Sequence, residues 1–392
     1  MQVAVLGGKL QGVEACYLAK KAGWDVLLVD KNPEAPAVGM CDSFLPFDLL
    51  NKDKLTQVLR EVQFIVPALE NKLVLDVIYE CAQAAGVKVL YDQQAYRLSA
   101  SKLESDKLFA KLGIPAPKPW PDCQFPVTVK PSEASGSKGV YQVQTLSEFN
   151  ELLEKINKQG EWVVQEFLAG PSYSIEIAGI NNDYRTFQVT ELEMDAGYDC
   201  KRVLAPAILA AEMVQQLADC ALIIAKELQL NGIMDVEVIL HEGKLKVLEI
   251  DARLPSQTLT AVFKSTGLNV LEVLGAGFGT SKDEKEFTTL AARGAIYEHI
   301  KVGSDKIEVC GEHIMGDVGP LHLEPNFFGA EEVVTNYHKD KQEWVATLMV
   351  TGENRDQALQ RCNAVIKNIM NSCGLKQYQD LTPPLLPNTG KY

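Results

Sequence analysis

The chain has 392 residues and a formal net charge of −14, with 46% hydrophobic and 23% charged residues. That length allows two or three domains with cores of their own. The acidic balance argues against nucleic acid and anionic membrane surfaces, both of which need clustered positive charge, and suits small cationic ligands.

Residues 1–95 alternate strand and helix. VAVLG (3–7) predicts a short buried strand ending in glycines, LQGVEACYLAKKAG (10–23) a helix stopped at Gly23, and DVLLVD (25–30) a second strand. FIVPAL (64–69) and VKVL (87–90) read as further strands around the helix KLVLDVIYECAQAAG (72–86). Strands interleaved with helices imply a parallel sheet with helices on its faces. The pattern changes near residue 96. SKLESDKLFAKLG (101–113) predicts an amphipathic helix broken by IPAPKPWP (114–121), and strands follow at 126–130, 139–144, 161–168, 172–179 and 183–193. A helix at 211–228 precedes a hairpin, IMDVEVIL–HEG–KLKVLEID (233–251). Beyond about residue 285 come strands, a helix around 354–371 and a proline-rich tail read as loop.

Three motifs carry chemistry. GGKLQG (7–12) lies after a strand and before a helix, with Asp30 ending the next strand, which is the layout of a nucleotide-type fold. A dinucleotide fingerprint needs glycine where Lys9 stands, so a nicotinamide dehydrogenase is disfavoured, while a turn shaped only for packing stays open. For Asp30 and Asp48 structural and functional roles are equally open. VKPSEASGSKGV (129–140) delivers Lys130 from a strand into a loop where Ser132, Ser135, Gly136, Ser137 and Gly139 let backbone amides face a ligand and Lys138 adds charge. It is not a Walker A loop, and a surface hairpin is the other reading. In the hairpin, strand alternation puts Asp235 and Glu237 on one face, and Glu249, Asp251 and Arg253 on one face of its partner. A three-residue turn centred on Gly243 would set Glu237 across from Glu249. Like charges facing each other are unfavourable unless a hard divalent cation joins them, and the apolar alternate positions bury the other face. A solvated polar face balanced by lysines is the competing account.

Together these pieces resemble the ATP-grasp superfamily over about residues 1–270. Within it they resemble the ligases of pyrrolysine biosynthesis, through GGKLQG, VDKNP (29–33), YDC (198–200), GIMDVE (232–237), EIDAR-x-PSQT (249–258) and IYEH (296–299). The resemblance implies an α/β ATP-grasp fold. A Rossmann-like parallel-sheet domain would span 1–95, a two-lobed ATP-binding domain 96–284 with its small lobe at about 115–168, and an α+β region 285–392. It implies a carboxylate–amine ligase that joins (3R)-3-methyl-D-ornithine to the Nε of L-lysine through an acyl phosphate, giving ADP and phosphate. ATP and two magnesium ions are the implied cofactors.

By the same resemblance Lys102 and Lys130 touch the nucleotide phosphates, Ser135, Gly136 and Ser137 close over them, and Gln165, Glu166, Phe167 and Leu168 form the hinge at the adenine. Gln165 and Ser172 depart from many relatives, which bears on the ribose contacts. Glu237, Glu249 and Asp251 would bind magnesium. Arg253, Ser256 and Thr258 would hold the activated carboxylate, with Glu176 and Asp235 also facing substrate. Lys9, Leu10, Gln11, Glu70, Asn71 and Glu298 would line the other side, Lys9 also reaching toward ATP. Arg253 and Lys130 are the expected catalytic groups. A D-alanine–D-alanine-type ligase or a carboxylase would share this ATP hardware, and a dehydrogenase or nucleotide sensor is the rival from another class.

The nine cysteines contain no C-x-x-C pair, and the start shows neither a signal-peptide pattern nor a run long enough for a membrane span. A cytoplasmic enzyme acting on small amino acids is expected, without nucleic-acid or membrane partners. The oligomeric state stays open, a homodimer being the assembly considered.

Overall fold

A computed structural model describes residues 1–133, 139–156, 160–277 and 292–383. The first layer is a parallel sheet in the order β3-β2-β1-β4-β5, built from β1 (Gln2–Leu6), β2 (Asp25–Asp30), β3 (Ser43–Pro46), β4 (Phe64–Pro67) and β5 (Lys88–Val89). Val3 to Leu6 are fully buried because α1 (Leu10–Lys21) covers one face while α2 (Lys52–Leu59) and α3 (Lys72–Ala85) cover the other. The expected strand at 87–90 survives as a two-residue pairing, and β3 and α2 went unread in the sequence.

Two helices lead out of this layer, α4 (Gln93–Ser99) and α5 (Lys102–Leu112), the second capped by the Ser101 hydroxyl and ended by Gly113 in a left-handed conformation. A small antiparallel sheet β7-β6-β8 follows, made of β6 (Val127–Pro131), β7 (Tyr141–Val143) and β8 (Trp162–Glu166), with α6 (Leu146–Lys155) beside it.

The large sheet begins with β9 (Ser172–Ile180), β10 (Asp183–Thr186), β11 (Thr190–Met194) and β12 (Cys200–Ala205). The single strand read over 183–193 is therefore two, β10 and β11, both paired to β9. After α7 (Ala211–Leu228) come the hairpin strands β13 (Gly232–His241) and β14 (Lys244–Asp251), then α8 (Thr258–Thr266) and α9 (Val270–Gly277). The C-terminal elements are β15 (Gly294–Val302), β16 (Lys306–Val309), β17 (His322–Phe327), β18 (Ala330–Thr335), β19 (Trp344–Gly352), α10 (Arg355–Cys373) and β20 (Gln377–Asp380). β12 pairs with β15, so one sheet runs β14-β13-β9-β11-β12-β15-β19-β18-β17 across the expected boundary near residue 285. The main core is shared in the same way: Val3, Tyr17, Leu259, Tyr297 and Met349 belong to one buried cluster.

Candidate active site

The site grows from the hairpin. Its turn is two residues, not three: His241 faces Lys244, and Glu242 and Gly243 both have positive φ, at 48° and 75°. That turn alone would set Glu237 against Leu248. A bulge between Glu237 and Val238 restores the register, so Glu237 faces Glu249 and Asp235 faces Asp251. On the other side β9 adds Glu176 opposite Asp235 and Ser174 opposite Glu237. Two polar rows thus cross three strands, Glu176–Asp235–Asp251 and Ser174–Glu237–Glu249. Val236 and Ile250 between them point into the core.

The β13 and β14 members of these rows, Asp235, Glu237, Glu249 and Asp251, form one wall of a cavity of about 310 Å³. Lys102, Lys130, Glu166, Phe167, Leu168, Asp235, Glu237, Glu249, Asp251, Arg253, Ser256 and Thr258 all line it. Lys102, at the start of α5, reaches Glu249 Oε1 at 3.2 Å. Lys130, on β6, is 5% exposed, and its burial holds its pKa down even though Glu249 works against that. Burial first, and then the facing Glu249, push Glu237 up to about 8. Burial also raises Asp251 to about 6, with Arg253 opposing. Burial pulls the Arg253 guanidinium down, but Asp251 and Glu70 overcome it and keep it charged. Arg253 Nη2 lies 2.7 Å from Asp251 and 2.8 Å from Glu70, and Gln11 Nε2 donates to that same Glu70 oxygen at 3.0 Å. A buried carboxylate set with raised pKa values wants positive charge, and magnesium takes one or two carboxylates with phosphate oxygens completing its shell. Asp235 Oδ1, on the same wall, has no hydrogen-bond partner among the described residues.

The other expected residues fall out variously. Gln165 is buried but does not line the cavity. The Glu166 and Phe167 amides already bond Lys118 O and Pro126 O, and the Glu166 carboxylate is held at 2.6 Å by Lys246. Ser135, Gly136 and Ser137 lie outside the described residues. Glu176 is fully buried behind the wall, raised to about 7 chiefly by burial. Lys9 is exposed off the cavity and pairs with Asp317 at 3.5 Å. Leu10 packs against the main core, and the Asn71 oxygen caps α3 by accepting from Val74 N at 3.1 Å. These three do not reach the cavity wall. Glu298 is a correction of the same kind. It faces away from the cavity, where Arg202 binds it, because Tyr297 and His299 take the opposite side of β15. Asp30 accepts from Gly8 N at 2.7 Å and Asn32 N at 2.8 Å, so its carboxylate plugs the glycine turn. Asp48 accepts from Leu50 N at 3.0 Å and is structural too.

The sequence reading overlooked Glu312. It lines the cavity from a short 3-10 helix, Glu312–Met315, and accepts from Ser256 Oγ at 2.6 Å. Asp199 lines the cavity beside it and accepts from His313 N at 3.0 Å. Gly311 permits that approach, since a Cβ there would lie 2.2 Å from Asp199 Oδ2. Asp195, Asp199 and His313 bring ligand-type atoms within 4.8 Å of one another. Backbone amides of Gly197, Asp199, Gly311 and His313 already occupy these two carboxylates, which makes the trio a loop staple.

Residues 99–257 match the ATP-grasp domain family, and residues 3–90 the PylC-like N-terminal domain family. A 3-methyl-D-ornithine–L-lysine ligase of Methanosarcina mazei is 33% identical over 366 residues, 92% of this chain and 93% of that protein. The ligase of the same description from Methanosarcina barkeri is 34% identical over 328 residues, 82% of this chain and 87% of that protein. The chain belongs to the PylC-like ATP-grasp ligases. Solved structures agree on the fold of this ATP-grasp ligase. The N5-carboxyaminoimidazole synthetase of Staphylococcus aureus, complexed with ADP, superposes with a TM-score of 0.68 at 16% identity, covering 93% of this chain and 96% of that one. The biotin carboxylase domain of the Hydrogenobacter thermophilus 2-oxoglutarate carboxylase, in complex with MgADP, reaches 0.72 at 15% identity, covering 93% and 89%.

Proposed function

We propose that this ATP-grasp ligase joins the carboxylate of (3R)-3-methyl-D-ornithine to the Nε of L-lysine, as the description of its Methanosarcina relatives suggests, with ATP cleaved to ADP and phosphate. The observation that carries the reading is the cavity itself. Two lysines, a row of raised-pKa carboxylates and an arginine converge on one space, which is the equipment of phosphoryl transfer to a carboxylate. Adenine would lie against Phe167 and Leu168; the Glu166 and Phe167 amides are used internally, and among the described residues the Leu168 amide has no backbone acceptor and would serve as the hinge donor. Lys102 and Lys130 would hold the phosphates. Glu237, Glu249 and Asp251 would hold two magnesium ions, which supply charge neutralisation there.

A carboxylate is a poor electrophile. Transfer of the γ-phosphoryl group makes it an acyl phosphate, attack by the amine forms the amide bond, and phosphate leaves. Arg253 would orient the donor carboxylate and balance its charge as it is phosphorylated. The lysine side chain, ordinarily near ~10.4, must lose a proton before attack, and a water-poor cavity lowers its pKa. The carboxylate row argues against a pure sensor, since binding nucleotide without turnover does not require it.

Incubation with ATP, magnesium, lysine and the methylated donor, followed by nucleotide chromatography and fragmentation mass spectrometry, tests the reading. ADP, phosphate and an Nε-linked product are expected. AMP with pyrophosphate, or an α-linked dipeptide, would reject it.

A further inference from the structure

Strand β12 breaks its own alternation at the edge of the cavity. Val203 lines the cavity and Arg202 points away from it, so a regular strand would turn Lys201 inward and Cys200 outward. The register against β11 shifts instead: Glu193 faces Arg202, and the next residue, Met194, faces Cys200. Lys201 is therefore the extra residue of a bulge. The bulge brings Cys200 onto the cavity wall next to Asp199 and sends two consecutive cations to the outer face of the sheet. Without it an ammonium would stand among the carboxylates of the wall, and Cys200 would leave it.

The C-terminal strand holds this bulge. Among the described strands β20 pairs only with β16, and Asp380 ends it opposite Val309. Asp380 Oδ1 takes the Lys201 ammonium, while Oδ2 accepts from Arg202 Nη2 at 2.8 Å and from the Tyr378 hydroxyl at 3.3 Å. The Leu381 carbonyl accepts from Lys201 Nζ at 2.7 Å, which leaves the lysine side chain 1% exposed. Arg202 has Glu193 and Glu298 as further ion-pair partners, but among the described residues Asp380 is the one carboxylate paired with Lys201. Burial pushes Asp380 up, and the bonds from Lys201 and Arg202 overcome it and hold it below its ordinary value. A buried ion pair adds little net stability over apolar side chains of the same volume, whereas it can fix a register.

We propose that Asp380 and Lys201 are positioning residues of the active site: the C-terminal strand anchors the β12 bulge from the outer face of the large sheet and so sets Asp199 and Cys200 on the cavity wall. Neither residue lines the cavity, and both act through the backbone of β12. The inference rests on the function proposed above only in taking this cavity as the place of reaction. Asp199 lies near enough to Glu312 to push its pKa up, and Glu312 accepts from Ser256, so the wall being set is the one beside Ser256. The Cys200 thiol reports on the bulge directly, since its Sγ donates to the Arg202 carbonyl at 3.7 Å across the extra residue.

The test reads the bulge and the reaction separately in Asp380→Asn, well below its melting temperature. Iodoacetamide labelling, followed residue by residue through peptide mass spectrometry, should run roughly tenfold faster at Cys200, with Cys220 on α7 within about twofold of native, because the opening is local. The KM values for the amino-acid substrates should rise about tenfold while that for ATP stays within about twofold, since small misplacements of a site wall cost rate heavily. Lys201→Met removes the other half of the pair with an apolar side chain, should act in the same direction, and carries the comparison if the first variant does not fold. Glu332→Gln is the control for general loosening, as its carboxylate is held by Lys21 and Lys264 off the cavity wall. It should leave Cys200 labelling and the substrate KM values near native. Native labelling of Cys200 in the folded variants, or equal changes in Glu332→Gln, overturns the anchor. Failure of the unsubstituted enzyme to turn over ATP with the amino acids overturns the functional reading instead, while faster Cys200 labelling in Asp380→Asn would still support the anchoring of the wall.

Discussion

Glu249 shows how one side chain can serve opposite ends in a fold and in a reaction. In the folded chain it faces Glu237, adds to that residue's raised pKa, and is answered only partly by Lys102 at 3.2 Å. Magnesium would convert this repulsion into ligation. Glu249→Gln removes a charge without changing shape, so the protein is expected to fold with a melting temperature near the native one. Turnover should fall ~100-fold or more, the scale of a lost group aimed at transition-state charge. The stabilisation that magnesium and ATP give the native protein in a thermal melt should largely vanish. Near-native turnover at saturating magnesium would show that Glu249 is no ligand. This residue was legible in the sequence because alternation along two strands is a short-range rule. The same rule, applied to IYEH, would have placed Glu298 on the face opposite Tyr297 and His299, away from the cavity. Asn71 misled for another reason: an asparagine before a helix is most simply a cap, and its oxygen is turned to the α3 backbone rather than to the cavity.

At the scale of elements, the contacts that sequence patterns do not report are those between distant segments. The hairpin was readable, yet its register rests on a two-residue turn and a bulge that compensate each other. Glu312 was not readable, because nothing local ties a 3-10 helix at 312–315 to the start of α8. Glu14 is a similar case, reaching from α1 to the first turn of α8, where Thr260 N and Oγ1 donate to it at 2.6 and 2.7 Å. A helix N-terminus favours a carboxylate by about 0.3–2 kcal/mol. Full burial costs several kcal/mol. Burial wins, and Glu14 is raised from 4.5 to about 8. A raised folded pKa gives stability that is complete below the unfolded value of about 4.5 and is lost as pH climbs through about 8. Glu14→Gln cannot ionise. Its stability should match the native protein within about 1 kcal/mol in mild acid, and its decline toward alkaline pH should be shallower. Denaturant titrations on both sides of neutrality measure the slope. Parallel slopes in the two proteins would mean that Glu14 does not titrate in this range.

Over the whole molecule, the layers behave as one body because they share a core and one ionic clasp. Glu332, on β18, is bound by Lys21 and Tyr17 from α1 and by Lys264 from α8, so a single carboxylate ties the N-terminal layer, the helix beneath the cavity and the C-terminal sheet. Burial pushes Glu332 up, but hydrogen bonds from Lys21, Lys264 and Tyr17 overcome that and hold it at about 2, below its ordinary 4.5. Lys264 moves the other way from what pairing alone would give, pulled down by burial ahead of its carboxylate partner. Two cations sharing one anion, one of them partly desolvated, make the clasp weaker than the sum of its contacts. Glu332→Gln is therefore expected to cost about 1–3 kcal/mol at neutral pH, because it strands two lysines against an apolar seam. The sign of the pH dependence follows from the lowered value. The native contribution is present above about 4.5 and is lost as pH falls toward about 2. The gap between native and variant should thus close in strong acid. Since Glu332 is not on the cavity wall, turnover at neutral pH and low temperature should stay close to native while the denaturation midpoint falls. Urea titrations near neutrality and near the acid limit decide it. A gap of equal size at both pH values would show that the lost hydrogen bonds, rather than the charge, hold these layers together.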